Sequence, residues 1–145
     1  MVVVNYSELL EAYEFVSFGA PMEHQAFISL DTGKIYWVSS VSEVEDELPE
    51  DLGESDRYIE VPHKHDLDLG ARLALRFADE KAPALYDRVD EFFHRRRAYA
   101  RFKDLLTRVG LLDQWYSFEA ECTERALKDW CAANQIEIRT EGPSV

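Results

Sequence analysis

The chain has 145 residues, 46% of them hydrophobic, and a formal net charge of -13. That length builds one core of useful size, whereas two domains would each be marginal, so residues 1–145 are expected to form a single domain. No apolar run is long enough to span a bilayer. The opening Met1-Val2-Val3-Val4-Asn5 also lacks the basic lead, long apolar middle and cleavage site of a signal peptide, so a cytoplasmic protein with no membrane association is expected.

The charge is unevenly placed. Residues 1–68 hold sixteen Asp and Glu against three Lys and Arg, while residues 69–145 hold thirteen of each. The first half therefore repels nucleic acid and anionic membranes and invites a basic-surfaced partner, or the protein's own arginine-rich helix.

Asn5 and Glu8 make a capping-box-like start, and Leu9, Leu10, Tyr13 and Val16 follow at helical spacing. The first helix is expected over Tyr6 to Phe18, with Glu8, Glu11 and Glu14 facing outward, Gly19 as a left-handed stop and Pro21 preventing continuation. From Gln25 to Val38 two β-rich runs flank Asp31-Thr32-Gly33, a hairpin pattern. Val41 to Asp56 is acidic and broken by Pro49 and Gly53; it reads as a solvated loop, with a partner-binding or cation-collecting role as the alternative. Arg57 to Val61 alternates as a third strand, completing an antiparallel meander.

His63-Lys64-His65-Asp66-Leu67-Asp68 is the one stretch that looks like a ligand set. His63 and His65, with Asp66 or Asp68, could hold a metal ion. The plainer reading makes Asp66 or Asp68 the cap of the next helix, whose Leu69, Leu73 and Phe77 recur every four residues, and leaves the histidines in a loop; on that reading no metal is bound.

Pro83 starts another helix, whose stripe runs through Leu85, Val89, Phe92, Tyr99, Phe102, Leu106 and Val109. Arg96 falls on that stripe between Phe92 and Tyr99. Either it snorkels to a carboxylate, or the helix bends or breaks there and the stripe restarts, because a buried unpaired guanidinium is too costly. Gly110 permits a turn into a last helix, capped by Asp113, with Trp115, Phe118, Cys122, Ala126, Trp130 and Ala133 on one apolar face and Leu127 widening it. Helix, turn and helix predict an antiparallel pair packed through aromatic side chains. Cys122 and Cys131 are nine apart on this helix, on opposite faces, so they are beyond disulfide reach and suit apolar packing. Ile136 to Arg139 reads as an edge strand added to the meander, and residues 140–145 as a frayed tail. The fold class expected is α+β, with a short antiparallel sheet packed against a helical bundle.

The run Arg97-Ala98-Tyr99-Ala100-Arg101-Phe102-Lys103-Asp104-Leu105-Leu106, followed by Trp115-Tyr116-Ser117-Phe118, Trp130-Cys131 and Ile136-Glu137-Ile138, resembles uncharacterised protein family 0158, a family of small bacterial proteins. The likeness extends to the Leu30-Asp31-Thr32-Gly33-Lys34-Ile35-Tyr36 hairpin. Ala100 stands where another basic or small residue is common in the family, and it interrupts a continuous basic strip. The resemblance implies an α+β fold and a bacterial cytosolic setting; it implies no activity.

Three functions compete. The first is a non-catalytic interaction or regulatory protein, with Arg97, Arg101, Lys103 and Arg108, rimmed by Tyr99 and Tyr116, meeting an acidic or phosphate-bearing partner or a second copy. The opposing reading is a solvated helix face whose arginines pair with Asp87, Asp90, Glu91 and Asp104. The second is nucleic-acid binding by the same helix, permitted by ten basic against six acidic residues over 69–112 and opposed by the acidic first half. The third is a metal-dependent hydrolase built on His63, His65, Asp66 and Asp68, with His94 a further candidate ligand. No phosphate-cradling Gly loop, nucleophile elbow or HExxH occurs, so neither an enzyme nor a cofactor is the leading expectation.

Overall fold

The computed structural model describes residues 1–18, 23–39, 49, 51, 52 and 56–139. In chain order it holds β1 (Val2–Asn5), α1 (Tyr6–Ser17), β2 (His24–Ser29), β3 (Ile35–Ser39), β4 (Tyr58–Glu60), α2 (Ala71–Lys81), a 3₁₀ turn (Pro83–Leu85), α3 (Tyr86–Phe92), α4 (Ala98–Val109), α5 (Leu112–Ala133) and β5 (Ile136–Arg139). The fold is α+β. Two compact units divide it: a sheet unit of Met1–Leu67 with Leu127 onward, and a helical unit of Asp68–Ala126.

In the sheet unit, Asn5 caps α1 as its side-chain type dictates, its Oδ1 accepting the N–H groups of Ser7 at 2.9 Å and Glu8 at 3.4 Å. Leu9, Ala12, Tyr13 and Val16 are buried at successive helical turns, against β2 and β3, and Glu8, Glu11 and Glu14 face solvent. The Gly19 and Pro21 stop lies outside the described residues, as do most of the acidic loop and the 140–145 tail. Phe18 closes the helix, donating its N–H to the carbonyls of Glu14 and Phe15.

The hairpin forms as expected, with His24 opposite Ser39 and Ile28 opposite Ile35. Its turn depends on Gly33, at φ +81°, where a Cβ atom would strike the Val3 carbonyl oxygen. Buried Ser29 accepts the N–H groups of Asp31 and Thr32. The third strand differs from a meander: the order is β3-β2-β4, so β4 pairs with β2. Ala26, Phe27 and Ile28 are all buried in β2, which is the pattern of a central strand covered on both faces. The C-terminal strand is likewise not an edge of that sheet. β5 pairs in parallel with β1, from Val2 opposite Ile136 to Asn5 opposite Arg139. Val2-Val3-Val4 is too short to announce a strand by itself, and its partner lies at the far end of the chain.

In the helical unit, α2 begins at Ala71 with Gly70 at its cap position and no side-chain cap. Neither Asp66 nor Asp68 caps it, because the turn after β4 runs further than the spacing suggests. The expected long helix through Leu85–Val109 is broken. After α3 the N–H groups of Phe93, His94 and Arg95 bond three residues back, to Asp90, Glu91 and Phe92, and Arg97 adopts the left-handed conformation at φ 59° before α4 begins. This is the second of the two solutions for Arg96: the stripe restarts and Arg96 is exposed. The core gathers Leu73, Ala74, Phe77, Ala78, Val89, Phe102, Leu105, Leu106 and Trp115. Trp115 is fully buried, edge-on to Phe102 at 4.9 Å and Phe77 at 5.4 Å, and its Nε1 has no acceptor among the described residues. Gly110, at φ 76°, ends α4, and Leu111 donates its N–H to Leu106.

α5 is shared between the units, and its buried face is not one stripe. Trp115, Phe118 and Cys122 join the helical core, whereas Thr123, Leu127 and Cys131 are buried further along. At about 100° per residue the second set is turned by about 150° from the first. Ala133, expected on the apolar face, is exposed, and Trp130 is half-buried.

Candidate functional site

The candidate site forms where α3 gives way to α4. His94-Arg95-Arg96-Arg97 occupies the break, and all four side chains are exposed. The first two are paired: Arg95 with Glu91 at 2.6 Å and His94 near Asp90 at 3.8 Å. Among the described residues Arg96, Arg97 and Arg101 have no carboxylate partner; Arg101 instead donates its Nε–H to the Arg96 carbonyl at 3.3 Å, which folds its guanidinium back over the break. α4 starts here with no side-chain cap and no acidic residue in its first turn. Cations therefore stand where a helix dipole favours anions, a mismatch of about 0.3–1 kcal/mol that a bound anion would reverse.

The six residues expected to share one face do not. Arg97, Arg101 and Arg108 fall on one side of α4, but Arg108 is neutralised by Asp104 at 2.9 Å. Lys103 is two residues beyond Arg101, about 200° around the helix, and lies over the ring of Tyr116 at 5.6 Å from its centroid. Tyr116 is exposed. Tyr99 does not rim the basic face: it is half-buried, edge-on to Phe93 at 5.1 Å, and burial, with the Glu119 carboxylate adding, pushes its phenol up to about 12. The opposing expectation of internal pairing is met at Arg95 and Arg108 and not at Arg96, Arg97 or Arg101. Arg96, which helical projection puts on the apolar stripe, joins the site only because the helix breaks. The four consecutive basic residues were the available signal.

The Asp66 and His63 side chains accept backbone N–H groups, and His65 and Asp68 are held beside them. Asp66 Oδ2 accepts the His63 N–H at 3.0 Å, and Asp66 returns its own N–H to the His63 carbonyl. His63 is buried, its Nδ1 accepts the His65 N–H at 3.1 Å, and the two rings lie 4.6 Å apart. Burial, then the charges of His63 and Lys64, hold His65 below its ordinary value, with Asp66 opposing. Asp68 sits at φ 55° and pairs with Arg72 at 3.5 Å. Among the described residues no group of three or more His, Cys, Asp and Glu converges as a metal site. Among the described residues no helix is long and apolar enough to cross a membrane.

Comparison with family models, with curated proteins and with solved structures returns no match to this chain.

Proposed function

We propose that the protein is a non-catalytic interaction module whose arginine elbow, Arg96, Arg97 and Arg101 at the start of α4, binds an acidic or phosphate-bearing partner. One observation carries this reading. Three adjacent exposed guanidiniums lack carboxylates among the described residues, while Arg95 and Arg108, close by in sequence, have them. Planar guanidiniums suit bidentate capture of carboxylate or phosphate. The bacterial cytoplasmic setting implied by the resemblance to family 0158 belongs to the same proposal.

The nucleic-acid reading has less support. Tyr99 is turned inward and gives no stacking platform, and the acidic first half opposes a long phosphate track. The hydrolase reading has less still, since Asp66 and the His63 Nδ1 are engaged by backbone N–H groups.

The test is affinity capture from source-cell lysate with the intact protein and with Arg97→Glu/Arg101→Glu as baits. Proteins with acidic or phosphorylated segments are expected to be lost from the variant. Identical recovery by both baits overturns the proposal. A salt titration against mixed RNA discriminates the runner-up, which is disposed of if no binding occurs at low salt.

A further inference from the structure

A second surface, in the sheet unit, has the opposite character. On α1 the positions Glu11, Glu14 and Phe15 fall within an arc of about 100°, away from the buried Leu9, Ala12, Tyr13 and Val16, and Phe18 follows at the helix end. Phe18 is 75% exposed. Phe15 stacks at 4.8 Å on both His24 of β2 and Trp37 of β3, and His24 lies 5.9 Å from Phe18, so four rings make a continuous ribbon. Trp37 is itself exposed. Neither Glu11 nor Glu14 has an ion-pair partner among the described residues, and both face solvent beside the ribbon.

We infer that this ribbon, flanked by Glu11 and Glu14, is a docking surface for a basic protein segment. Lysine or arginine side chains lie across the rings through cation–π contact while their charges meet the two carboxylates. The choice of occupant follows from charge. Residues 1–68, which carry the ribbon, hold sixteen acidic against three basic residues, a field that attracts a cationic chain and repels nucleic acid and anionic lipid. A second copy brings the same negative field, with its arginine elbow as a complement.

The experiment titrates the intact protein with a lysine and arginine decapeptide lacking aromatic residues, followed by calorimetry and tryptophan fluorescence at 150 mM salt. Saturable binding is expected, weakened at least tenfold by Glu11→Lys/Glu14→Lys and by Phe18→Ser. An equal charge change at the exposed pair Asp87→Lys/Asp129→Lys is expected to weaken it no more than threefold. Circular dichroism checks that each variant is folded, and Phe18, being exposed, is a position where that is expected. Absence of saturable binding overturns the inference. So does equal weakening by the control pair with no effect of Phe18→Ser, which would mean attraction by net charge alone. Sedimentation showing self-association that both Phe18→Ser and Arg97→Glu/Arg101→Glu abolish would assign the ribbon to a second copy and overturn it as well.

Discussion

The helical unit and the sheet unit solve the same problem by different means. In the helical unit neighbours in sequence meet: α2 packs on α3 and α3 on α4, and Phe77, Phe102 and Trp115 lock together edge to face. The sheet unit is closed by distant segments, with β4 added to β2 from some 30 residues away and β5 brought to β1 from about 130. Local contact leaves the helical unit's charged residues outside, where unpaired arginines accumulate. Long-range pairing leaves the sheet unit dependent on a few backbone positions. Core size governs the first and backbone geometry the second.

Trp115→Ala should be the heaviest blow to the helical unit, costing about 3–5 kcal/mol in guanidinium unfolding. Its hydrogen exchange should rise within 68–126; an equal rise in β2 would break the distinction between the units. Leu127→Ala, at the fully buried centre of α5's second face, should cost about 2–5 kcal/mol, with faster exchange in β2 and β5 instead. Gly33→Ala tests the backbone side of the comparison, since its Cβ meets the Val3 carbonyl at φ +81°; a loss of about 1–3 kcal/mol is expected by denaturant midpoint. Asn5→Ala removes the α1 cap and should cost about 1 kcal/mol in the same assay.

The smallest effect is pH-linked. His65 is held below 6.5 in the folded chain, so the folded state takes up its proton less readily than the unfolded one. Its stability is complete above pH 6.5 and declines as pH falls toward the lower folded value. His65→Gln should flatten that decline in melting temperature between pH 7 and 5, with no difference from the parent above pH 7.

Legibility followed the same divide. The Asn5 cap, the β2–β3 hairpin with Gly33, the Pro83 start and the Gly110 turn were all readable, because each is written in one continuous run of sequence. The β3-β2-β4 order and the β1–β5 pair were not, since short strands carry no address for distant partners. The site was half legible. A stripe interrupted by Arg96 announced two solutions, and only the cost of burying a guanidinium against that of breaking the helix decides between them. The Phe15 and Phe18 ribbon had a signal, two aromatics three apart beside Glu11 and Glu14, but the stronger stripe through Leu9, Tyr13 and Val16 drew the helix's meaning to its other face.

The parallel union of β1 with β5 has a consequence for synthesis. Val2 to Asn5 leaves the ribosome well before its partner, since the strand that completes it is translated about 130 residues later, a wait of roughly 7–25 s at about 5–20 residues per second. Throughout that interval a β-branched segment travels without its strand partner, while Asp68 to Ala126 can already close around Trp115. During that wait β1 is the segment left open to mispairing.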